Sequence, residues 1–139
     1  MADPFNLERF VEAQAPVYDQ VRRELEDGRK QSHWMWFIFP QIKGLGHSAT
    51  SIRFAIASLD EGKTYLAHAV LGPRLRECAR LVLDLEGKTA REIFGPVDEM
   101  KFCSSMTLFA KAAPKEDVFQ RCLDKYFAGE PDPATLARI

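Results

Sequence analysis

The sequence contains no long apolar run and no recognisable export signal. None of its hydrophobic stretches approaches the ~20 residues that a membrane-spanning helix needs. The N-terminal segment MADPFNLERF carries acids and a proline where a signal peptide would have a basic segment followed by an apolar one. We therefore expect a cytoplasmic protein that has no membrane partner.

The sequence also lacks an excess of charge of either sign. Its 19 basic and 20 acidic residues give a formal charge of −1. This balance provides no overall attraction to the phosphate backbone of a nucleic acid, so any such binding would need a local basic patch. Nucleic acid is therefore not an expected partner.

Cysteine and histidine are scarce, with three residues of each type. The cysteines at positions 78, 103 and 122 lie far apart and form no C-x-x-C motif, which argues against a disulfide framework and against a zinc site. Among His33, His47 and His68, no pair has the i, i+4 spacing of two metal ligands on one helix face. We expect buried, reduced cysteines, no metal and no cofactor.

Strand signals are weak, whereas helical periodicity runs through most of the chain. Only the segment WMWFIF is rich in aromatic and β-branched residues, and a single strand without a partner is not stable. Elsewhere apolar residues recur at i, i+3, i+4 and i+7. The chain has 139 residues, 46% of them apolar, which suits one domain with one core. The sequence thus predicts an all-α fold, a compact single-domain bundle of about six to eight short helices over residues 1–139.

Several local signals predict where helices begin and end. Pro16 lacks a backbone donor, so it predicts either a kink or two short helices that meet just before it. Thr89, followed three residues later by Glu92, has the spacing of a capping box. Gly95 should end the helix that this box opens, and Pro96 should begin the next one.

The segment between residues 41 and 66 predicts a loop followed by two helices. The small polar residues of KGLGHSATS are typical of a loop that ends in a helix cap between Ser48 and Ser51. One helix is then expected to run through Leu59, with Asp60 as the cap of another. The apolar residues assigned to the first of these helices are Ile52, Phe54, Ala55, Ile56 and Leu59.

The segment SHWMWFIFPQ, residues 32–41, is the most unusual part of the sequence, and we call it the aromatic block. It holds both tryptophans, and as a helix it would be apolar all round, which favours burial of most of its residues in the core. In the alternative interpretation, Trp34 or Trp36 lines a cleft with His33 and stacks on a planar group. Each indole N–H needs a hydrogen-bond partner in either case.

Two further segments carry polar residues suited to a site. The loop from Gln41 to Ser48 contains Gly44 and Gly46, and glycines allow backbone N–H groups to approach an anion, although a plain helix-entry loop needs them equally. Further along, MKFCSSMTLF places a lysine three and four residues before two serines. This spacing fits a lysine-activated hydroxyl, or simply serines that pack inside a helix. The residues in question are Lys101, Ser104 and Ser105.

The segments KQSHWMWFIFPQIKGLGHS, YLAHAVLGPRL and MKFCSSMTLF resemble the uncharacterised bacterial family of domain of unknown function 1810. The resemblance extends from LERFVEAQAPVYDQV to the terminal GEPDPATLARI. It implies a small all-α domain and brings no established activity. The label "calpastatin", sometimes given to this family, implies a disordered protease inhibitor, which does not fit the composition of a packed globule.

A second and much fainter likeness concerns the C-terminal pattern of apolar residues. The spacing in M…LF…VFQRCL…G…D…TL is similar to the end of the all-α NADAR family, which is associated with ADP-ribose and riboflavin-pathway N-glycosides. Likeness of fold does not establish function. It does suggest a class of ligand to test.

These observations lead to one main hypothesis and one alternative. The main hypothesis is a cleft that binds a small anionic, nucleotide-like ligand, with hydrolysis of an N-glycosidic bond as the reaction to test if the protein is catalytic. His33 would transfer the proton, a tryptophan would stack and cations would hold phosphate. The ligand-binding residues predicted are Lys30, Trp34, Trp36, Gln41, Gly44, Gly46, Ser48, Arg74, Lys101, Ser104 and Ser105. In the alternative, the aromatic block is the surface of a non-enzymatic interaction or homodimerisation module; the sequence leaves monomer and homodimer open.

Overall fold

The all-α prediction is confirmed by a computed structural model, which describes residues 3–139. Residues 1–2 of the predicted domain lie outside the described residues. Within them the helices, two of which are only four residues long, are α1 (Glu8–Gln14), α2 (Tyr18–Glu26), α3 (Met35–Ile38), α4 (Ala49–Arg53), α5 (Leu59–Ala67), α6 (Leu71–Asp84), α7 (Ala90–Ala112), α8 (Asp117–Phe127) and α9 (Pro133–Leu136). No helix over these residues is both long enough and apolar enough to cross a membrane.

Helix α7 forms the centre of the domain. All of its residues from 102 to 109 are buried, as expected of a helix that is enclosed on every side. It packs against α5, α8 and α9, while α6 packs against α2, α5 and α8. The three cysteines lie on α6, α7 and α8, and all are buried and free, as the sequence predicts. One core therefore joins the helices into a single domain.

The predicted helix boundaries around Pro16 and Thr89 are confirmed. Two short helices, α1 and α2, meet at Pro16. Thr89 accepts a hydrogen bond from the backbone N–H of Glu92, whose side chain in turn accepts one from the backbone of Thr89, so the capping box is complete. Gly95 breaks the helical conformation with φ 86°, which leaves a kink in α7 just before Pro96.

The helix predicted through Leu59 is wrong. Helix α4 ends at Arg53, and Ile56 instead forms a parallel bridge with Ile42. Two backbone hydrogen bonds hold this bridge, from Lys43 N to the Ile56 carbonyl and from Ile56 N to the Gln41 carbonyl, both 2.8 Å. Phe54, the C-cap of α4, and Ile56, in the bridge, are both buried, whereas Ile52, within α4, is exposed.

The cap predicted for the next helix is two residues too far along the chain. Ser58, and not Asp60, is the N-cap of α5, and its hydroxyl accepts a hydrogen bond from the backbone N–H of Glu61. The Glu61 carboxylate accepts a second one from Ala57 N at 2.9 Å. These two hydrogen bonds satisfy backbone N–H groups at the start of α5 and just before it, and so fix where that helix begins.

Candidate functional site

The aromatic block is divided between core and surface. Trp34 is 1% exposed, and Met35, Ile38 and Phe39 are equally buried, so the core interpretation holds for most of the block. Trp36 is only partly buried and packs at the edge of the core. Of the two tryptophans, Trp36 is therefore the one available to a ligand.

The buried Glu24 carboxylate fixes the chain that leads into the aromatic block. Its Oε1 accepts hydrogen bonds from the backbone N–H groups of Gln31 and Ser32, at 2.7 and 2.9 Å, and from the indole N–H of Trp34 at 3.0 Å. Its Oε2 accepts from Ser32 Oγ at 2.6 Å and from Gln20 Nε2 at 2.8 Å. The buried indole thus has its required partner, and Trp34 acts as an anchor for the segment.

Trp36 borders a cavity of about 210 Å³. Its indole N–H donates to Ser51 Oγ at 3.1 Å, and the Lys101 ammonium lies 4.3 Å from the ring centroid. One face of the ring is thus held by a cation while the side chain lines the cavity. The other lining residues come from the bridge, the glycine loop and α4: Gln41, Ile42, Lys43, Gly44, Gly46, His47, Ser51, Ile52, Phe54 and Ala55.

A groove of about 300 Å³ lies on the other side of the same loop, between it, α7 and α9. Gln41, Gly46 and Ser51 line both the cavity and the groove, so the two spaces adjoin. We call them together the Trp36 cleft. The remaining residues of the groove are Leu45, Val97, Met100, Lys101, Ser104, Asp132 and Ala134.

Two predicted lysines meet at one carboxylate. Asp98 lies 2.9 Å from Lys30 Nζ and 3.2 Å from Lys101 Nζ, and each ammonium also sits over an indole, Lys30 over Trp34 at 5.1 Å and Lys101 over Trp36. Two ammonium groups against one carboxylate leave one positive charge in excess. Lys101 brings this charge to the groove, whereas Lys30 lies behind it and lines neither space.

The loop glycines are required by close packing. Gly44 has φ +101°, and a Cβ there would overlap the guanidinium of Arg138. A Cβ at Gly46 would lie 2.5 Å from Ser51 Oγ. Ser48 caps α4 by accepting the backbone N–H of Ser51, and its hydroxyl lies 2.8 Å from Ser51 Oγ. The loop is thereby held against Ser51, the residue that also binds the Trp36 indole.

Other predicted site residues lie outside the cleft. His33 is exposed and lines neither space. Arg74 sits 4.8 Å from the Tyr18 ring and donates to Gln14 Oε1 at 3.4 Å, so it faces α1 and α2. Ser105 is fully buried, and its hydroxyl has no partner among the described residues.

Lys101 and Ser104 line the same groove but are engaged with different partners. The Ser104 hydroxyl lies 3.0 Å from the Met100 carbonyl and 2.9 Å from Asp132 Oδ2, while Lys101 pairs with Asp98. A serine activated by lysine would need a hydrogen bond between the two side chains. This arrangement favours the packing interpretation of Ser104.

The buried thiols are poorly suited to nucleophilic chemistry. Burial raises the pKa of Cys103 to about 11 and the pKa values of Cys78 and Cys122 to about 12. Because the thiolate is the nucleophilic form, these side chains are almost wholly protonated at neutral pH.

Sequence reasoning missed Ser51 and Asp132, which line the cleft, and Asp98, which pairs with Lys101. Asp98 could have been found from its i, i+3 spacing to Lys101, which indicates a pair on one helix face. Asp132 is the N-cap of α9, and its position just before Pro133 indicates only the start of a helix. Nothing local indicates that Ser51 binds an indole fifteen residues earlier.

The fold and the cleft define a class of protein: a small all-α domain in which a half-buried tryptophan lies between a glycine loop and the central helix. Comparison with known families makes the assignment more specific. The chain belongs to the family described as protein of unknown function (DUF1810), whose model matches residues 4–139. The resemblance noted in the sequence is thereby confirmed.

The chain is also similar to a protein whose crystal structure is known. This relative is the conserved hypothetical protein Rv1873 from Mycobacterium tuberculosis, which is 54% identical in sequence with a TM-score of 0.96. The match covers 97% of this chain and 96% of that chain. A comparison with curated proteins found no match.

Proposed function

We propose that the Trp36 cleft binds a small anionic, nucleotide-like ligand. The observation that carries the proposal is the position of Trp36. A half-buried indole lines the cavity, its N–H is satisfied by Ser51, and a cation holds one face of the ring. A fixed aromatic surface at the wall of a concave space suits a planar ring.

The apolar surface around the cleft supports this proposal. Ile52, Val97 and Met100 are 64%, 67% and 55% exposed, and they are three of the five exposed large hydrophobic side chains among residues 3–139. Ile52 lines the cavity, while Val97 and Met100 line the groove. Apolar side chains gathered at the rim of a pocket are typical of a binding surface.

The charges of the cleft favour an anionic group on the ligand. Lys101 lines the groove, and Lys43 and His47 line the cavity. Asp98 neutralises only one of its two lysine partners. Asp132 adds a second carboxylate to the groove, so a phosphate would be attracted locally, by the ammonium groups of Lys101 and Lys43, and not by a net positive charge of the groove. The proposal is for binding alone, because His33, the predicted proton-transfer residue, lines neither space.

Tryptophan fluorescence tests the proposal directly. We expect ADP-ribose, NAD, FMN, GTP or inorganic phosphate to change the emission in a saturable way and to raise the melting temperature, since a ligand bound to the folded state stabilises it. In Trp36→Phe, the buried Trp34 still emits but the ligand-dependent change disappears. A change that persists in Trp36→Phe would place the site elsewhere.

The contribution of Lys101 to binding is tested by Lys101→Gln, and Lys111→Gln, near the end of the same helix, is the control. Lys101→Gln should weaken the binding of a phosphate-bearing ligand by about tenfold, which corresponds to the loss of one charge-assisted hydrogen bond. Lys111→Gln changes the same charge at an exposed position in the last turn of α7 and should leave binding unchanged. Absence of any response to the whole panel would overturn the proposal.

A second candidate function is an interaction or homodimerisation module, favoured by Val97 and Met100. These two exposed side chains are three residues apart on α7 and so share one helix face. The aromatic block does not offer this surface, because most of its residues are in the core. Sedimentation of the wild type and of Met100→Ser tests the candidate. A dimer that the substitution dissociates would support it, and a monomeric wild type would contradict the homodimer.

A further inference from the structure

The carboxylate of Asp132 is buried. One of its oxygens accepts hydrogen bonds from the described part of the chain, whereas the other, which we call the open oxygen, does not. The residue is 8% exposed. Its Oδ2 accepts hydrogen bonds from Ser104 Oγ at 2.9 Å, from Thr135 Oγ1 at 2.6 Å and from Thr135 N at 3.2 Å. Its Oδ1 accepts none from residues 3–139. That oxygen is not among the sealed polar atoms that lack a partner, so it is accessible to solvent.

The residue that carries the open oxygen lines the groove of the Trp36 cleft. Asp132 lines that groove together with Lys101. The backbone N–H of Asp132 donates to Thr107 Oγ1 at 2.9 Å, so both the main chain and Oδ2 are fixed and the carboxylate cannot turn away. The groove therefore presents an immobile acceptor beside a cation.

The chemistry of this pair restricts what the groove accepts. A largely buried carboxylate repels phosphate and accepts hydrogen bonds from hydroxyl or amino groups, and such a bond to a charged acceptor is among the stronger ones. Lys101, on the other hand, donates and attracts negative charge. A ligand that fits both carries hydroxyl groups close to an anionic group, as a sugar phosphate does.

We infer that the groove binds the sugar part of the ligand, with a hydroxyl donating to Asp132 Oδ1 and the neighbouring anionic group held by Lys101. This inference rests on the proposed function and deepens it by assigning the two adjoining spaces to two parts of one ligand. The planar ring occupies the cavity at Trp36, and the hydroxylated part occupies the groove. The cleft is thus selective for hydroxylated ligands over their deoxy counterparts.

Asp132→Asn tests the acceptor with little disturbance of the fold. Asparagine serves as well as aspartate at a helix N-cap. All donors at Oδ2 require an acceptor, so the amide oxygen must take the Oδ2 position, and the amide nitrogen then faces the groove. The substitution converts the open acceptor into a donor while the cap of α9 is retained.

The measurement is a titration followed by Trp36 fluorescence, with GTP and ATP each compared with the 2′,3′-dideoxy form. We expect the wild type to bind the hydroxylated nucleotide about 10- to 100-fold more tightly, as for a hydrogen bond to a charged group. Asp132→Asn should bind the two forms within about threefold of each other. Thr135→Ala, which loses the hydroxyl donor to Oδ2 but keeps the backbone donor and leaves Oδ1 in place, should be less stable yet retain the preference.

The outcomes separate this inference from the proposed function. Equal binding of both forms by the wild type, or a preference that survives in Asp132→Asn, would overturn the assignment of the groove while the Trp36 cleft still binds ligand. If none of the four nucleotides alters the emission of Trp36, the inference falls together with its nucleotide-type premise.

Discussion

At the scale of single residues, the stability of the domain should depend strongly on the Glu24 carboxylate. Both of its oxygens accept hydrogen bonds. The donors belong to Gln20, Gln31, Ser32 and Trp34. Glu24→Gln places an N–H₂ group against at least two of these donors. We expect the free energy of unfolding at pH 7 to fall by about 2–4 kcal/mol, measured by urea denaturation.

The effect of Glu24 should also depend on pH in a defined direction. Burial alone would raise its pKa, but hydrogen bonds from Ser32, Gln31 and Gln20 outweigh this and lower the pKa from 4.5 to about 2. A lowered folded-state pKa contributes stability above the unfolded value that is lost as the pH falls toward the folded value. The difference between wild type and Glu24→Gln should therefore shrink between about pH 4.5 and pH 2; a constant difference would contradict this account.

Arg9 offers a second residue-scale prediction, because it holds the back of the cleft. Its guanidinium donates to the carbonyls of Arg53 at 2.7 Å and Ala55 at 2.8 Å, and to the Glu61 carboxylate at 2.9 Å. Lysine cannot reach all three. Arg9→Lys should lower the free energy of unfolding by about 1–3 kcal/mol, measured by urea denaturation.

An exposed arginine supplies the control for Arg9→Lys. Arg121 lies 3.9 Å from Asp117 on the surface of α8, with its side chain 54% exposed. The same change at this position should alter stability by less than about 0.5 kcal/mol. Equal effects at both positions would show that the carbonyl contacts of Arg9 carry little energy.

The sequence shows which side-chain groups require a hydrogen-bond partner better than it shows which residue provides that partner. The buried indole N–H groups were expected to require acceptors, but the acceptors are Glu24, ten residues earlier, and Ser51, fifteen residues later. Neither spacing corresponds to a helix face or a turn. Arg74 and Lys101 look alike in sequence, yet only Lys101 faces the cleft, since that depends on how α6 and α7 rotate against their neighbours.

At the scale of helices, the contact between α5 and α6 should depend on Gly72. A Cβ at this position would overlap the carbonyl oxygen of Leu66, which is backbone and cannot move aside. The Gly72→Ala substitution therefore forces α6 away from the end of α5. We expect the free energy of unfolding to fall by about 1–3 kcal/mol, measured by thermal and urea denaturation.

Gly62 provides the matched comparison within α5. A Cβ there would meet Ala112 Cβ at 3.5 Å, which is ordinary contact. Because glycine is entropically unfavourable inside a helix, Gly62→Ala should raise stability by about 0.5–1 kcal/mol. A loss at Gly62 as large as that at Gly72 would mean that helix packing tolerates no added methyl group at either position.

Local signals account for helix ends, and non-local contacts account for the error over residues 54–58, which are not helical. The Thr89 capping box lies within four residues and was predicted correctly. The positions of Phe54 and Ile56 fit a helical pattern, but the helix ends at Arg53 and Ile56 pairs with Ile42. That pairing depends on the loop between them, so a search for helical periodicity along one segment could not find it.

At the scale of the whole molecule, composition and periodicity were sufficient for the all-α fold, whereas the cleft depends on how distant segments meet. Residues from the aromatic block, the glycine loop, α7 and α9 line it. No short motif records this arrangement. Residue patterns supplied the positions of interest, and only the fold separates those that line the cleft, such as Trp36, from those that anchor it, such as Trp34.

The three cysteines allow a test of whether the domain unfolds as one unit. Cys78, Cys103 and Cys122 are buried on three helices of the same core, and burial raises their thiol pKa values. In the native state a thiol reagent should therefore react only after the protein opens. The measurement follows labelled peptides by mass spectrometry at low urea concentrations. We expect the free energy of opening to be the same for all three cysteines and equal to the free energy of global unfolding. Earlier labelling of Cys103 alone would contradict a single cooperative unit, because it would show that α7 and α9, and with them the groove at Asp132, open separately from the core.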